Sequence, residues 1–266
     1  MATSYGALCS DFYVNCKLSV KMDLPAERET VLHLFDRVRK SEPSMDRFRR
    51  YENELLLESS RRDAEYRYLS MRRTSVRSGH ANPQDMADAY RFHRVILDVA
   101  PHYLTISPLD IDYVELMFGF DLECEGNHDA VVFEALFADT PMANLMRLPD
   151  SVADESQVKP LDVQPVFGAA LNASGDLQAF YEVKTRTRNR RGQATRYQDE
   201  PLSIFLTLRK YGPVDHLSDI RAIFDTMKDQ AETLATERLV PDLLTPIARQ
   251  IISMGAEGGG NVGEER

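Results

Sequence analysis

At 266 residues, with 43% hydrophobic and 28% charged residues, the chain has a globular composition and enough length to bury a substantial core. A net charge of −10 argues against wholesale nucleic-acid binding, and three cysteines without a Cys-x-x-Cys pair supply neither a disulfide framework nor a zinc knuckle. No apolar run is long enough to span a bilayer and the first residues lack the pattern of a secretory signal, so a cytoplasmic protein is expected.

The first element is a strand. Phe12, Val14, Cys16, Leu18, Val20 and Met22 alternate with Tyr13, Asn15, Lys17, Ser19 and Lys21, which predicts one buried face and one basic face. Asp23, Pro25 and Glu27 are helix-start signals, and Val31, Leu34, Phe35 and Val38 form the apolar stripe that follows, with His33 off it and solvated. Residues 46–77 are rich in arginine. A strand is expected at Glu54–Glu58, a turn at 61–63 and a returning strand over 65–74. Arg47, Arg49, Arg50, Arg61, Arg62, Arg67, Arg72, Arg73 and Arg77 are interleaved with acids, a pattern that reads as a salt-laced surface.

Asn82 and Pro83 then signal a second helix, with Met86, Ala89, Tyr90, His93, Leu97 and Ala100 on its stripe and its end before Pro101. His93 on that stripe is expected to be a core residue with one hydrogen bond. A short strand is expected over 102–106. The longest alternation covers 112–125, where Val114, Leu116, Phe118, Phe120, Leu122 and Cys124 face the core and Glu115, Asp121, Glu123 and Glu125 face out. If it pairs with the first strand, acidic and basic outer faces meet. Cys16 and Cys124 read as small buried hydrophobes.

Gly126, Asn127, His128 and Asp129 follow. This tetrapeptide is similar to one metal-binding motif of the calcineurin-like metallophosphoesterases, in which the Asn and His are a metal ligand and a phosphate contact. The other motifs of that family, an upstream Asp-x-His, a Gly-Asp pair and a downstream Gly-His-x-His, are missing. The tetrapeptide instead reads as a helix cap, with Asn127 as the capping residue and Val132, Phe133, Leu136 and Phe137 as the stripe. No catalytic residue, metal site or cofactor is indicated.

Residues 139–162, broken by prolines, are the expected linker, where Met142, Leu145, Met146 and Leu148 suit a short docked turn. Strands follow at 163–171, 179–188 and 201–210, then a helix over 217–239 and a last helix over 243–252. The tail from residue 255 is expected to be disordered. Lys184, Arg186 and Arg188 lie two apart on one strand face, and Arg190, Arg191 and Arg196 extend the charge into a polar connection. These six are the candidate contacts for a nucleic-acid backbone or another phosphate. The acidic total points instead to a solvated strand face. The run 182–188 also has the charge rhythm of triphosphate-tunnel enzymes, although the Glu-x-Glu-x-Lys of their first strand is missing.

The order of elements, with Thr236, Glu237, Arg238 and Leu239 near the end of the long helix, resembles a sporadically distributed family of uncharacterised bacterial proteins of about this length. That resemblance implies no catalytic residues. The expected fold is α+β in two halves, each an antiparallel sheet covered by helices on one face: residues 1–138, the linker 139–162, and a strand meander with two helices over 163–254. The expected function is a non-catalytic binding or assembly component whose partner is another protein or a second copy, with no membrane involved. The alternatives are nucleic-acid binding through the 184–196 hairpin and phosphate handling in a charged sheet groove.

Overall fold

A computed structural model describes residues 5–61, 64–148, 152, 158–185 and 200–258, the last four of these by backbone alone. The architecture is α+β. The strands are β1 (Asp11–Val20), β2 (Arg47–Tyr51), β3 (Glu54–Glu58), β4 (Tyr66–Arg72), β5 (Ser75–Ala81), β6 (Ile111–Leu122), β7 (Val166–Ala170), β8 (Leu177–Lys184) and β9 (Leu202–Tyr211). They form one nine-stranded antiparallel sheet, ordered β2-β3-β4-β5-β1-β6-β9-β8-β7, in place of the separate sheets expected for two halves. The basic strand β1 and the acidic strand β6 are neighbours, as their outer faces suggested.

The helices are α1 (Arg28–Ser41), α2 (Met86–Tyr103), α3 (His128–Phe137), α4 (Asp219–Leu234) and α5 (Thr245–Gly258). None among the described residues is long and apolar enough to cross a membrane. The chain divides into two compact units: residues 1–120, 168–180 and 205–232, and residues 121–167, 181–204 and 233–266.

In the first unit the alternation of β1 sets the core. Phe12, Val14, Cys16 and Leu18 are buried beneath the helices, and their neighbours Tyr13, Asn15 and Lys17 stand on the other side. Burial raises the Cys16 thiol pKa, with Glu115 adding to the effect, so this cysteine is an inert core residue. The rings of Tyr5, Phe12, Phe118 and Phe120 cluster with centroids 5.0 to 6.0 Å apart. Helices α2 and α4 meet through Phe224, whose ring packs on Tyr90 and His93, and through the Arg94–Asp225 pair at 2.5 Å. His93 is fully buried and bonded to Ser78 Oγ at 2.8 Å, as its place on the stripe implied.

Several boundaries differ from the expected ones. Helix α1 begins at Arg28, and Asp23 bonds Arg73 Nε instead of capping it. Helix α2 is capped by Asp85 and runs through Pro101 to Tyr103, so no strand forms over 102–106. Asn82 adopts a positive φ of 49° and accepts a bond from Phe12 N at 2.9 Å. Cys124 lies past the end of β6 and is only half-buried.

In the second unit Asn127 caps α3 by accepting from Ala130 N at 3.0 Å, and Gly126 supplies the positive φ of 82° before it. His128 is buried with both ring nitrogens on carbonyl oxygens, Nδ1 at 2.6 Å from Thr185 and Nε2 at 2.8 Å from Cys124. The buried Asp129 carboxylate accepts from Val163 N at 2.9 Å. The cap motif therefore also anchors chain segments that lie far away in sequence. The two helices expected at the C-terminus are one continuous helical run, joined by a π-helical segment at Ala235–Leu244. Pro241 within it has no N–H to donate, and the wider turn absorbs that loss; Thr245 N–H reaches Val240 O. The Thr236–Leu239 signature falls inside this segment.

Candidate functional site

The site stands on the side of the sheet turned away from α1 and α2, in the first unit. Strand register places its residues in rows across five strands. One row reads Arg47, Glu58, Tyr68, Gly79 and Asn15; the next reads Arg49, Leu56, Ser70, Arg77 and Lys17. A third holds Tyr51, Glu54, Arg72, Ser75 and Ser19. Residues one position along, such as Leu57, Leu69, Ser78 and Cys16, point into the core.

Gly79 shapes the floor. A Cβ there would meet Tyr68 Cε1 at 2.0 Å, so the absence of a side chain lets the tyrosine ring lie on the sheet. Tyr13 lies over Gly119 in the same way, with a Cβ at 2.2 Å from Tyr13 Cε2. Beside this floor is a cavity of about 360 Å³, lined by Tyr51, Glu54, Leu56, Arg61, Tyr66, Tyr68, Arg72 and Arg77. Three arginines against one glutamate invert, locally, the acidic balance of the chain.

Two of these arginines are engaged. Arg61 pairs with the buried Glu58 at 3.4 Å and sits 5.0 Å over the Tyr66 ring. Tyr66 donates to Glu58 at 2.5 Å; burial and that acceptor push its hydroxyl up to about 12. Arg72 pairs with Glu54 at 3.3 Å, and Ser70 Oγ also donates to Glu54. Burial pushes the Glu54 carboxyl upward, but the bonds from Ser70 and Arg72 outweigh it and hold the group below the ordinary range.

Arg77 differs. Its Nε is buried without a hydrogen-bond partner, and among the described residues the guanidinium makes no ion pair. Lys17 stands directly opposite on β1, a like-charge juxtaposition that costs stability and that the Glu54 carboxylate offsets only through its charge, without a contact to Arg77. Lys17 itself bonds Tyr113 and sits 4.7 Å over that ring. Farther along this face Arg209 is held by Glu115 at 2.5 Å and by the rings of Tyr113, Phe180 and Tyr211.

A second polar centre lies on the helix side. Arg67, only 14% exposed, bonds Glu42 at 2.5 Å, Glu65 at 2.6 Å, Asp88, and His80 Nε2 at 3.2 Å. Arg91 ties Glu42 and Asp88 together from outside. Glu65, His80 and Asp88 hold ligand atoms within 4.8 Å of one another, a spacing suited to a metal ion. The Arg67 guanidinium already supplies the cation there, and a divalent ion would have to displace it from three carboxylates. The cluster is a latch joining β4, β5, α2 and the end of α1.

Of the residues proposed from sequence, Lys184 lies on β8 and pairs with Glu182 at 3.3 Å. Arg186, Arg188, Arg190, Arg191 and Arg196 lie outside the described residues. The earlier arginine-rich stretch is where the structure concentrates charge, and strand alternation sorts it into Arg49, Arg72 and Arg77 outside and Arg50 and Arg67 inside. Arg77 is one of the arginines expected on a salt-laced surface, but its place on β5 (Ser75–Ala81) is not legible in the sequence, because that strand carries too few apolar residues to alternate visibly. No protein-family model matches the chain, and no curated protein matches it.

Proposed function

We propose that the protein is a binding component whose open sheet face takes a phosphate-bearing ligand at Arg61, Arg72 and Arg77. The observation that carries this is Arg77: a guanidinium with a buried, unpartnered Nε, facing a second cation across the strand pair, in a cavity of ligand size. Planar, forked donors suit a phosphate's oxygens. Binding is favoured over catalysis because the one acid in the cavity, Glu54, is a weakened base, tied to Ser70 and Arg72.

Isothermal titration with inorganic phosphate and pyrophosphate at low salt tests the reading. The wild-type chain should bind pyrophosphate, and Arg77→Met should weaken binding at least about tenfold while leaving the circular dichroism unchanged. No binding of either anion, or equal binding by the variant, overturns it.

A second reading, assembly with another copy, is favoured by β7. This strand ends the sheet, is exposed along its whole length and carries no charge, with Val166 58% and Phe167 52% exposed. Light scattering of the purified chain measures it.

The finer fold reading, two related halves, is supported by connectivity. In β1-α1-β2-β3-β4-β5-α2 the first strand neighbours the last strand of a meander. In β6-α3-β7-β8-β9-α4 it does so again, and β1 and β6 meet in the middle of the sheet. Separate expression of residues 1–110 tests it: a soluble, cooperatively melting fragment is expected, and an insoluble or unfolded one counts against independent halves.

A further inference from the structure

A second cavity, about 600 Å³ in volume, opens on the other side of the β2–β3 hairpin, against the start of α1. Its floor is apolar: Leu24, Val31 and Met71 are buried, Leu55 is half-buried, and the Phe48 ring is 50% exposed. These side chains come together for a simple reason. Strand alternation turns Phe48, Leu55 and Met71 to the helix side, and the apolar stripe of α1 turns Val31 toward them.

The rim is charged but unevenly satisfied. Arg73 is paired with Asp23 at 2.8 Å and Arg72 with Glu54 at 3.3 Å. Arg28, Arg50 and Glu52, also on the lining, make no hydrogen bond or ion pair among the described residues. An apolar floor under a rim that is net cationic, with four arginines against Asp23, Glu52 and Glu54, complements an apolar chain that ends in an anion. The Phe48 ring packs on Phe35 of α1 at 5.7 Å between centroids yet stays 50% exposed on the core-facing side of β2, which fits one wall of a site.

We infer that this cavity binds an anionic amphiphile of the fatty-acid type, with its hydrocarbon chain on Phe48, Leu55 and Met71 and its carboxylate at Arg28 and Arg50. The inference does not depend on the phosphate reading. The two cavities share Tyr51, Glu54 and Arg72 in their linings, so the test avoids those residues.

Titration with decanoate, below its micelle concentration, is compared with decyltrimethylammonium. Decanoate should bind and the cationic amphiphile should not. Arg28→Gln/Arg50→Gln should weaken decanoate at least about tenfold and leave any pyrophosphate binding unchanged. Phe48→Ser, at an exposed ring, should weaken decanoate binding with the fold intact. Absence of decanoate binding overturns the inference. Equal binding of the two amphiphiles, or undiminished binding by the double variant, also overturns it, since either means that no anion is recognised.

Discussion

One methyl group at Gly79 would decide the shape of the phosphate cavity. The added Cβ would lie 2.0 Å from Tyr68 Cε1 and 2.4 Å from Asn15 Oδ1, so the ring must lift off the sheet. Gly79→Ala is expected to cost about 1–3 kcal/mol of stability, the usual range for overpacking, and to weaken pyrophosphate binding. Tyr68→Ala in the same chain removes the clash with the ring and leaves only that with Asn15 Oδ1, so the double variant should lose less stability than the sum of the singles. Urea denaturation of the four chains measures this. Additive losses would mean that ring and backbone are not coupled. Legibility at this scale followed locality. The Asn127 cap and the core placement of His93 rest on neighbours a few positions away, and both could be read. The tie from His128 to Thr185 O spans 57 residues, and only the fold reveals it.

Among the elements, β1 and β6 were legible because one face of each is buried throughout and the other is not. β2 and β5 were not: β2 is exposed along its length and β5 buries Ser78 and His80 where an apolar residue would have signalled a strand. The join between α4 and α5 was hidden because Pro241 reads as a breaker, whereas a π-helical turn carries the run across it. The two sheet edges also differ in a way that bears on assembly. β2 carries Arg47, Arg49 and Arg50, charges that discourage pairing with another strand. β7 carries none. Concentration-dependent self-association is therefore expected to run through β7, and Phe167→Lys should abolish it without unfolding the chain. Multi-angle light scattering over a range of concentrations decides the point: a strictly monomeric wild type, or a variant that associates as before, removes β7 as an interface.

For the whole molecule, composition announced an acidic chain but not where its cations gather, because the rows of the open face exist only once five strands are in register. The same fold buries groups whose protonation differs from that of the unfolded chain, and this fixes the response to acid. Burial, with His80 adding to it, holds the His93 pKa down to about 3, and burial followed by Arg67 lowers that of His80. Both start from 6.5, so below that pH the unfolded chain takes up protons that the folded chain refuses, and stability falls with pH. For His93 the loss runs from about pH 6.5 down to about 3, at up to about 1.4 kcal/mol per pH unit. Glu54, Glu65 and Asp88 extend it. Burial opposes their ionisation, but bonds from Ser70, Arg72, Arg67, His80 and Arg91 outweigh that, so all three are held below their ordinary values of 4.5 and 3.8. The stability they add is present above those values and is lost as pH falls through the lowered ones. Chemical denaturation should thus show a plateau from about pH 7 to about pH 8, below the range in which the buried Cys16 thiol would ionise on unfolding, then on acidification a first decline set by the histidines, and a steeper one once the carboxylates join. His93→Gln should be less stable at neutral pH yet lose less between about pH 6.5 and about pH 5, because one group that takes up a proton only on unfolding is gone. An unchanged slope in that window would mean that His93 is protonated in the folded chain, and its packing against Ser78 and Phe224 would have to loosen to admit the charge.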